Sequence, residues 1–184
     1  MTDRELAPEP LRLVQELVNT AEFFDDGGHR DHLSTPADLR TWLEGLGFHA
    51  RPTASDLRRV LTIREGLRAL LEAHNGHPLD PDSTAGLNRA LAAQPLHLTV
   101  GADGNPALQA DGGMAGFVAT ISDAIVRASA DGTWGRLKAC RCKTCRWAFY
   151  DHSKNRCGTW CSMDECGSRE KVRAYRRRKA GVTG

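Results

Sequence analysis

The residues able to do chemistry are gathered at one end of this chain. All six cysteines fall between Cys140 and Cys166, in Cys140-Arg-Cys142-Lys-Thr-Cys145 and then Cys157-Gly-Thr-Trp160-Cys161-Ser-Met-Asp-Glu-Cys166. A structural zinc ion takes four soft ligands in a tetrahedron, supplied as two nearby pairs joined by a loop. Cys140/Cys145 and Cys161/Cys166 form matching pairs, each with four residues between, and the segment Arg146 to Trp160 separates them. The competing choice takes Cys142-Lys-Thr-Cys145 as a C-x2-C knuckle and frees Cys140. Spacing alone leaves both open. The chain starts Met1-Thr-Asp-Arg-Glu with no apolar leader, which favours a metal site over a disulfide framework.

Charge follows the same boundary. From Arg136 to Gly184, 14 Lys and Arg face four acids, a formal +10, whereas the first 135 residues carry −8. That asymmetry describes an acidic globular part joined to a basic module that meets polyanions. After Gly167 the sequence Arg169-Glu-Lys-Val-Arg-Ala-Tyr-Arg-Arg-Arg178-Lys predicts a helix. On it Arg169, Arg173, Arg176 and Arg177 fall within about 100° of one another, a single cationic stripe suited to phosphates and a groove. Val172 and Tyr175 are expected to face the zinc knuckle. Lys154, Arg156, Lys143 and Arg146 would extend the patch. The competing reading of such a charge run is a solvated face that keeps the chain soluble.

Trp147, Phe149, Tyr150 and Trp160 can stack on bases, but a module of about 50 residues needs them as its core. Asp151 and Ser153 are expected to tie a loop turn by side-chain to backbone bonds. The histidines show no metal spacing and read as surface or capping residues. No nucleophile sits beside a base, no glycine loop cradles phosphate, and no three-ligand metal site is open, so an enzyme is not expected.

Upstream, the elements that must position this module are helical. Val14, Leu17, Val18 and Ala21 have helical spacing, with a helix end expected near Phe23-Phe24. Thr35-Pro36-Ala37-Asp38 and Thr53-Ala-Ser-Asp56 are capping signals. The first opens a helix over Leu39, Trp42, Leu43 and Leu46 that Gly47 closes; the second opens the longest periodic stretch, Leu57 to Leu71. Further helices are predicted from Pro81 to Ala93 and from Gly116 to Ala130. Between them Leu96-His-Leu-Thr-Val100 and Pro106-Ala-Leu108 flank a Gly/Asp/Asn turn and predict a β-hairpin. No apolar run approaches the ~20 residues of a membrane helix, so a cytoplasmic protein is expected, nucleoid-associated where the basic module meets DNA.

Cys-x4-Cys, then Arg146-Trp-x-Phe-Tyr-Asp-x-Ser-x-Asn155, then Trp160-Cys-Ser-Met-x-x-Cys-Gly-x-Arg169-x-Lys resembles the CGNR zinc finger, a treble-clef-like module. The upstream pieces Leu17-Val-Asn-Thr20, Pro36-x-Asp-Leu-x-x-Trp42-Leu, Ile63-Arg-Glu-x-Leu67 and Leu87-Asn88 are similar, in order, to the ABATE domain of stress-induced bacterial transcription regulators. The resemblance selects Cys140, Cys145, Cys161 and Cys166 as ligands of one structural zinc ion. It departs at Cys166-Gly-Ser168-Arg169, where serine stands in place of the family's asparagine.

The expected fold is therefore α+β and helix-rich: a mainly helical domain with a small β-hairpin over 1–133, and a zinc finger ending in a basic helix over 134–184. The expected function is a DNA-binding transcription regulator. Arg146, Lys154, Arg156, Arg169, Arg173, Arg176 and Arg177 would contact duplex DNA. The acidic domain would serve as the signal-sensing or dimerising part, so that a homodimer and a small-molecule effector are further expected partners. The alternative is a zinc-organised protein-interaction module that binds no nucleic acid.

Overall fold

The computed structural model describes residues 5–24, 26–93 and 95–181. Helix α1 (Arg12–Val18) leads into a hairpin of β1 (Ala21–Phe23) and β2 (His29–Asp31). Then come α2 (Pro36–Gly45), α3 (Ala54–Ala73) and α4 (Pro81–Ala92). A second hairpin, β3 (His97–Val100) with β4 (Pro106–Gln109), precedes α5 (Met114–Ala130). A short 3-10 turn leads to a third hairpin, β5 (Leu137–Ala139) with β6 (Ala148–Tyr150). A π-helical turn (Met163–Gly167) and α6 (Ser168–Gly181) complete the helix-rich α+β chain. Among the described residues no helix is long and apolar enough to cross a membrane.

Helix α3 is the axis. Thr53 accepts from the Asp56 N–H while the Asp56 carboxylate accepts from the Thr53 N–H, a full capping box, and Thr35 with Asp38 repeats it on α2. Val60, Ile63, Leu67 and Leu71 recur at helical spacing with no exposed surface, and α1, α2, α4 and β5 all pack on α3. Gly66 shows how closely α4 crosses. A Cβ there would lie 2.6 Å from Leu87 Cβ, so the glycine's helix-propensity penalty of about 1 kcal/mol is the condition for the contact.

Two arginines occupy core positions of α3. Arg64 grips Asp31 with both Nη groups at 2.7 Å, its Nη1 also reaches Thr20 Oγ1, and its Nε bonds Glu65. Burial opposes the Arg64 charge, but the bond to Asp31 and the nearby Glu65 raise its pKa. Arg64 stands in phase with the apolar positions of α3 and is held there because Asp31 and Glu65 satisfy its head group.

One element departs from the expectation. The chain leaves the helical path at Asn19, and Ala21 to Phe23 form a strand rather than the end of a helix. The Thr20 hydroxyl donates to Leu17 O at 2.8 Å, the Asn19 side chain is taken by β6, and the glycine-rich segment turns the chain back to pair as β2. The β3–β4 hairpin forms as predicted and is fastened to α5. There Asp123 accepts from the Leu108 N–H and Arg127 donates to Pro106 O.

Replacing Asp31 with alanine strands the buried Arg64 guanidinium. The expected loss is about 3 kcal/mol of unfolding free energy in a denaturant titration; an unchanged midpoint would show that water replaces the carboxylate freely.

Candidate metal centre and basic surface

The cysteine-bearing segment does not fold as a separate bead. Leu137, Ala139 and Ala148 are fully buried in the same core as α1, α3 and α5. Polar side chains from the helices then grip its backbone. Asn19 donates to Ala148 O and accepts from Ala148 N–H, and Gln15 donates to the same carbonyl. Asn75, at the end of α3, donates to both Ala139 O and Thr159 O at 2.8 Å. His74 sits at the α3 C-cap, as a capping histidine would, but turns inward: Nδ1 bonds Leu137 O and the ring packs edge-on against Trp134. Burial lowers its pKa.

Four cysteine sulfurs converge on the far side of this hairpin. Those of Cys140, Cys145, Cys161 and Cys166 all lie within 4.8 Å of one another. Cys145 and Cys161 are 3.5 Å apart, and Cys161 and Cys166 are 3.7 Å apart. Tetrahedral zinc with bonds of about 2.3 Å requires sulfur–sulfur edges of about 3.8 Å. The site therefore fits one zinc ion in both donor chemistry and spacing, and the four cysteines are positioned to hold it. Without a metal the thiols compete for protons: hydrogen bonding from Cys140, then from Cys161 and Cys166, pulls Cys145 far below the usual thiol range, while the bond with Cys140 pushes Cys161 and Cys166 above it. Four thiolates could share this space only with a cation among them.

Cys142, the competing choice from spacing, lies outside that quartet. It is buried beside it, bonded to Thr144 and to Arg173 Nη1. Cys157 is exposed on the connecting loop. The aromatics serve as structure: Phe149 is buried, Trp147 and Trp160 pack on the cysteine cluster, and Tyr150 packs on the main core.

The connecting loop is tied by a buried ion pair. Lys138 Nζ meets Asp151 Oδ2 at 2.7 Å and also donates to Arg156 O and Gly158 O. The Asp151 carboxylate accepts from the Ser153 and Gly158 N–H groups as well, so the expected loop tie is present and stronger than a turn alone. Gly158 is required here, since a Cβ would stand 2.7 Å from Asp151 Oδ1. Against a burial that would raise it, these bonds, Lys138 first, bring the Asp151 pKa down to about 2.

Helix α6 leaves the finger at the π-turn, its main contact. Val172 and Tyr175 are 48% and 60% exposed, so they do not face the knuckle. Trp147, Phe149 and Trp160 already cover the cysteines and leave no place for them. Arg169, Arg173 and Arg176 share one shallow groove with Asp164 and Glu165; Arg173 also pairs with Glu170 at 2.7 Å. Arg177 lies exposed on the same helix. The remaining basic candidates lie elsewhere. Arg146 stacks on Phe23 and pairs with Glu72 at 2.6 Å, Arg156 reaches towards Gly132, and Lys154 is exposed on the loop between.

Spacing gave no sign of Arg68. It has no exposed surface, yet it donates to Val18 O, Ala21 O and Arg146 O and pairs with Glu65. The only available signal was a second arginine four residues after Arg64 on the buried face.

With this geometry in view, comparison with family models gives two matches. Residues 11–132 match ABATE, described as "Putative stress-induced transcription regulator", and residues 136–179 match the CGNR zinc finger. Comparison with curated proteins finds no match.

Two outcomes are expected. Cys161→Ser should release the zinc and lower the thermal stability of the whole chain, because β5 and β6 sit in the shared core; retained zinc with an unchanged melting temperature would refute the ligand set. The Asp151 carboxylate has a folded pKa below its unfolded value of about 3.9, so its contribution is present above that value and is lost as pH falls towards 2. The stability gap between wild type and Asp151→Asn should thus narrow between about pH 4 and pH 2. A gap independent of pH across that window would contradict the assignment.

Proposed function

Since the chain belongs to the ABATE family of transcription regulators and carries a CGNR zinc finger, we propose that it regulates transcription by binding duplex DNA through its zinc module. In this reading residues 134–184 are the DNA reader and residues 1–133 the part that senses a stress signal or dimerises. A hairpin supplying one cysteine pair, followed by a helical turn supplying the other, supports a treble-clef description of the reader. No catalytic step is assigned to either part, and the protein acts in the cytoplasm at the nucleoid.

The observation that carries this reading is α6. It packs mainly on the π-turn at its start, and Lys171, Arg176, Arg177, Arg178 and Lys179 are exposed along it. A cationic helix anchored beside a zinc site presents charge to phosphates without an ordering penalty, because the zinc cluster fixes where the helix starts. Arg169 and Arg173 would exchange their carboxylate partners for phosphate, and Lys154 and Arg156, on the loop near Gly132, would meet phosphates apart from the helix.

The interaction-module alternative has one specific observation in its favour. Acids of the N-terminal part already meet the finger, with Glu72 on Arg146 and Glu5 Oε1 3.7 Å from His152 Nε2. A fluorescence-anisotropy titration of the zinc-loaded protein with mixed-sequence duplex DNA separates the two. If about five phosphates are engaged, log K should fall with log salt at a slope near −4 to −5. Arg176→Ala/Arg177→Ala should weaken binding and flatten that slope by about 1.8 while zinc stays bound. Absence of binding at low salt would leave the protein-interaction reading.

A further inference from the structure

The finger and the N-terminal helices meet at a notch that neither segment builds alone. Glu72 and His77, from the end of α3 and the turn after it, line one side; Cys140, Arg141, Lys143 and Arg146 of the knuckle line the other. The notch encloses about 260 Å³, room for a phosphate group and several waters of ~30 Å³ each. Arg141 and Lys143 are exposed, and no acid pairs with either among the described residues. Its charged side chains are three cations against one carboxylate, Glu72.

Resting on the DNA-binding reading above, we infer that this notch is a second phosphate seat on the DNA-facing surface and that Glu72 of the N-terminal domain restrains it by holding Arg146. Three features carry the inference. The seat adjoins α6: Arg141 and Lys143 flank Cys142, whose sulfur accepts from Arg173 Nη1 at 3.7 Å, so a backbone lying along α6 runs on to the knuckle. The seat is also preformed. Arg146 holds a left-handed backbone at φ 51°, its carbonyl is bonded by Arg68 Nη1 at 3.0 Å, and its guanidinium lies 4.9 Å from the Phe23 ring centroid. A cation fixed in this way loses little freedom when a phosphate arrives.

The third feature is the restraint. Glu72 Oε1 takes the Arg146 Nε at 2.6 Å, and both side chains are partly open to solvent at 33% and 24%. A carboxylate on the rim of a phosphate seat opposes the incoming charge. Glu72 stands on α3, the element on which the N-terminal domain packs, so the acidic domain sets the charge at the seat through this carboxylate.

The test uses full-length, zinc-loaded protein and the same mixed-sequence duplex over a salt series. Arg141→Ala/Lys143→Ala should weaken binding about tenfold at low salt and flatten the slope by about 1.8, with one zinc still bound per chain. Glu72→Gln removes the opposing charge and frees Arg146, so it should bind several-fold more tightly, a gain that misfolding does not produce. If both variants bind as wild type while Arg176→Ala/Arg177→Ala weakens binding, the seat is refuted and the DNA reading stands. If the wild type binds no DNA, the two fall together.

Discussion

Arg68 carries five N–H donors into a position with no exposed surface, and the acceptors it reaches come from three different parts of the chain: the end of α1, the start of β1 and the knuckle carbonyl of Arg146. A buried guanidinium left short of partners would cost several kcal/mol. Removing any one of these segments therefore penalises the others. Burial depresses the Arg68 pKa, and Glu65 on the same helix offsets this. The result is a polar tie between the helical core and the metal site, set among apolar contacts that would otherwise tolerate sliding.

The remaining interdomain contacts obey the same logic. A strand pair of three residues each is marginal alone. Here β5 and β6 gain stability from the shared core and from Asn19, Gln15, His74 and Asn75, whose side chains satisfy backbone groups that face away from the partner strand. A zinc site built on such a hairpin inherits its rigidity. The two family segments are thus distinct in sequence and continuous in packing, and metal binding in one contributes to the folding of both.

The division of charge has a related consequence. The acidic part does not simply repel its basic neighbour's ligands at a distance. It places individual carboxylates, notably Glu72, against individual cations of the finger. Sequence pattern groups eight basic residues into one patch, whereas the fold separates them into a helix groove, a knuckle notch and a loop near Gly132. Only the helix and the notch adjoin.

What could be read without coordinates rests on local physics. Capping boxes at Thr35 and Thr53 involve residues three apart, the cysteine pairs have four residues between their members, and the β3–β4 turn is a few residues long; each depends on neighbours in the chain. The strand at Ala21 to Phe23 was not legible because its apolar spacing suits a helix, and pairing with β2 overrode that preference. Nor was the position of Val172 and Tyr175, since a helix face declares what it could bury but not whether a surface is free to receive it. The choice of Cys140 over Cys142, the partners of Arg64 and Arg68, and the pairing of Glu72 with Arg146 across 74 residues were settled only by tertiary structure. Sequence spacing determines what lies within one turn or one loop; which distant groups share a buried charge or a metal follows from how the core closes.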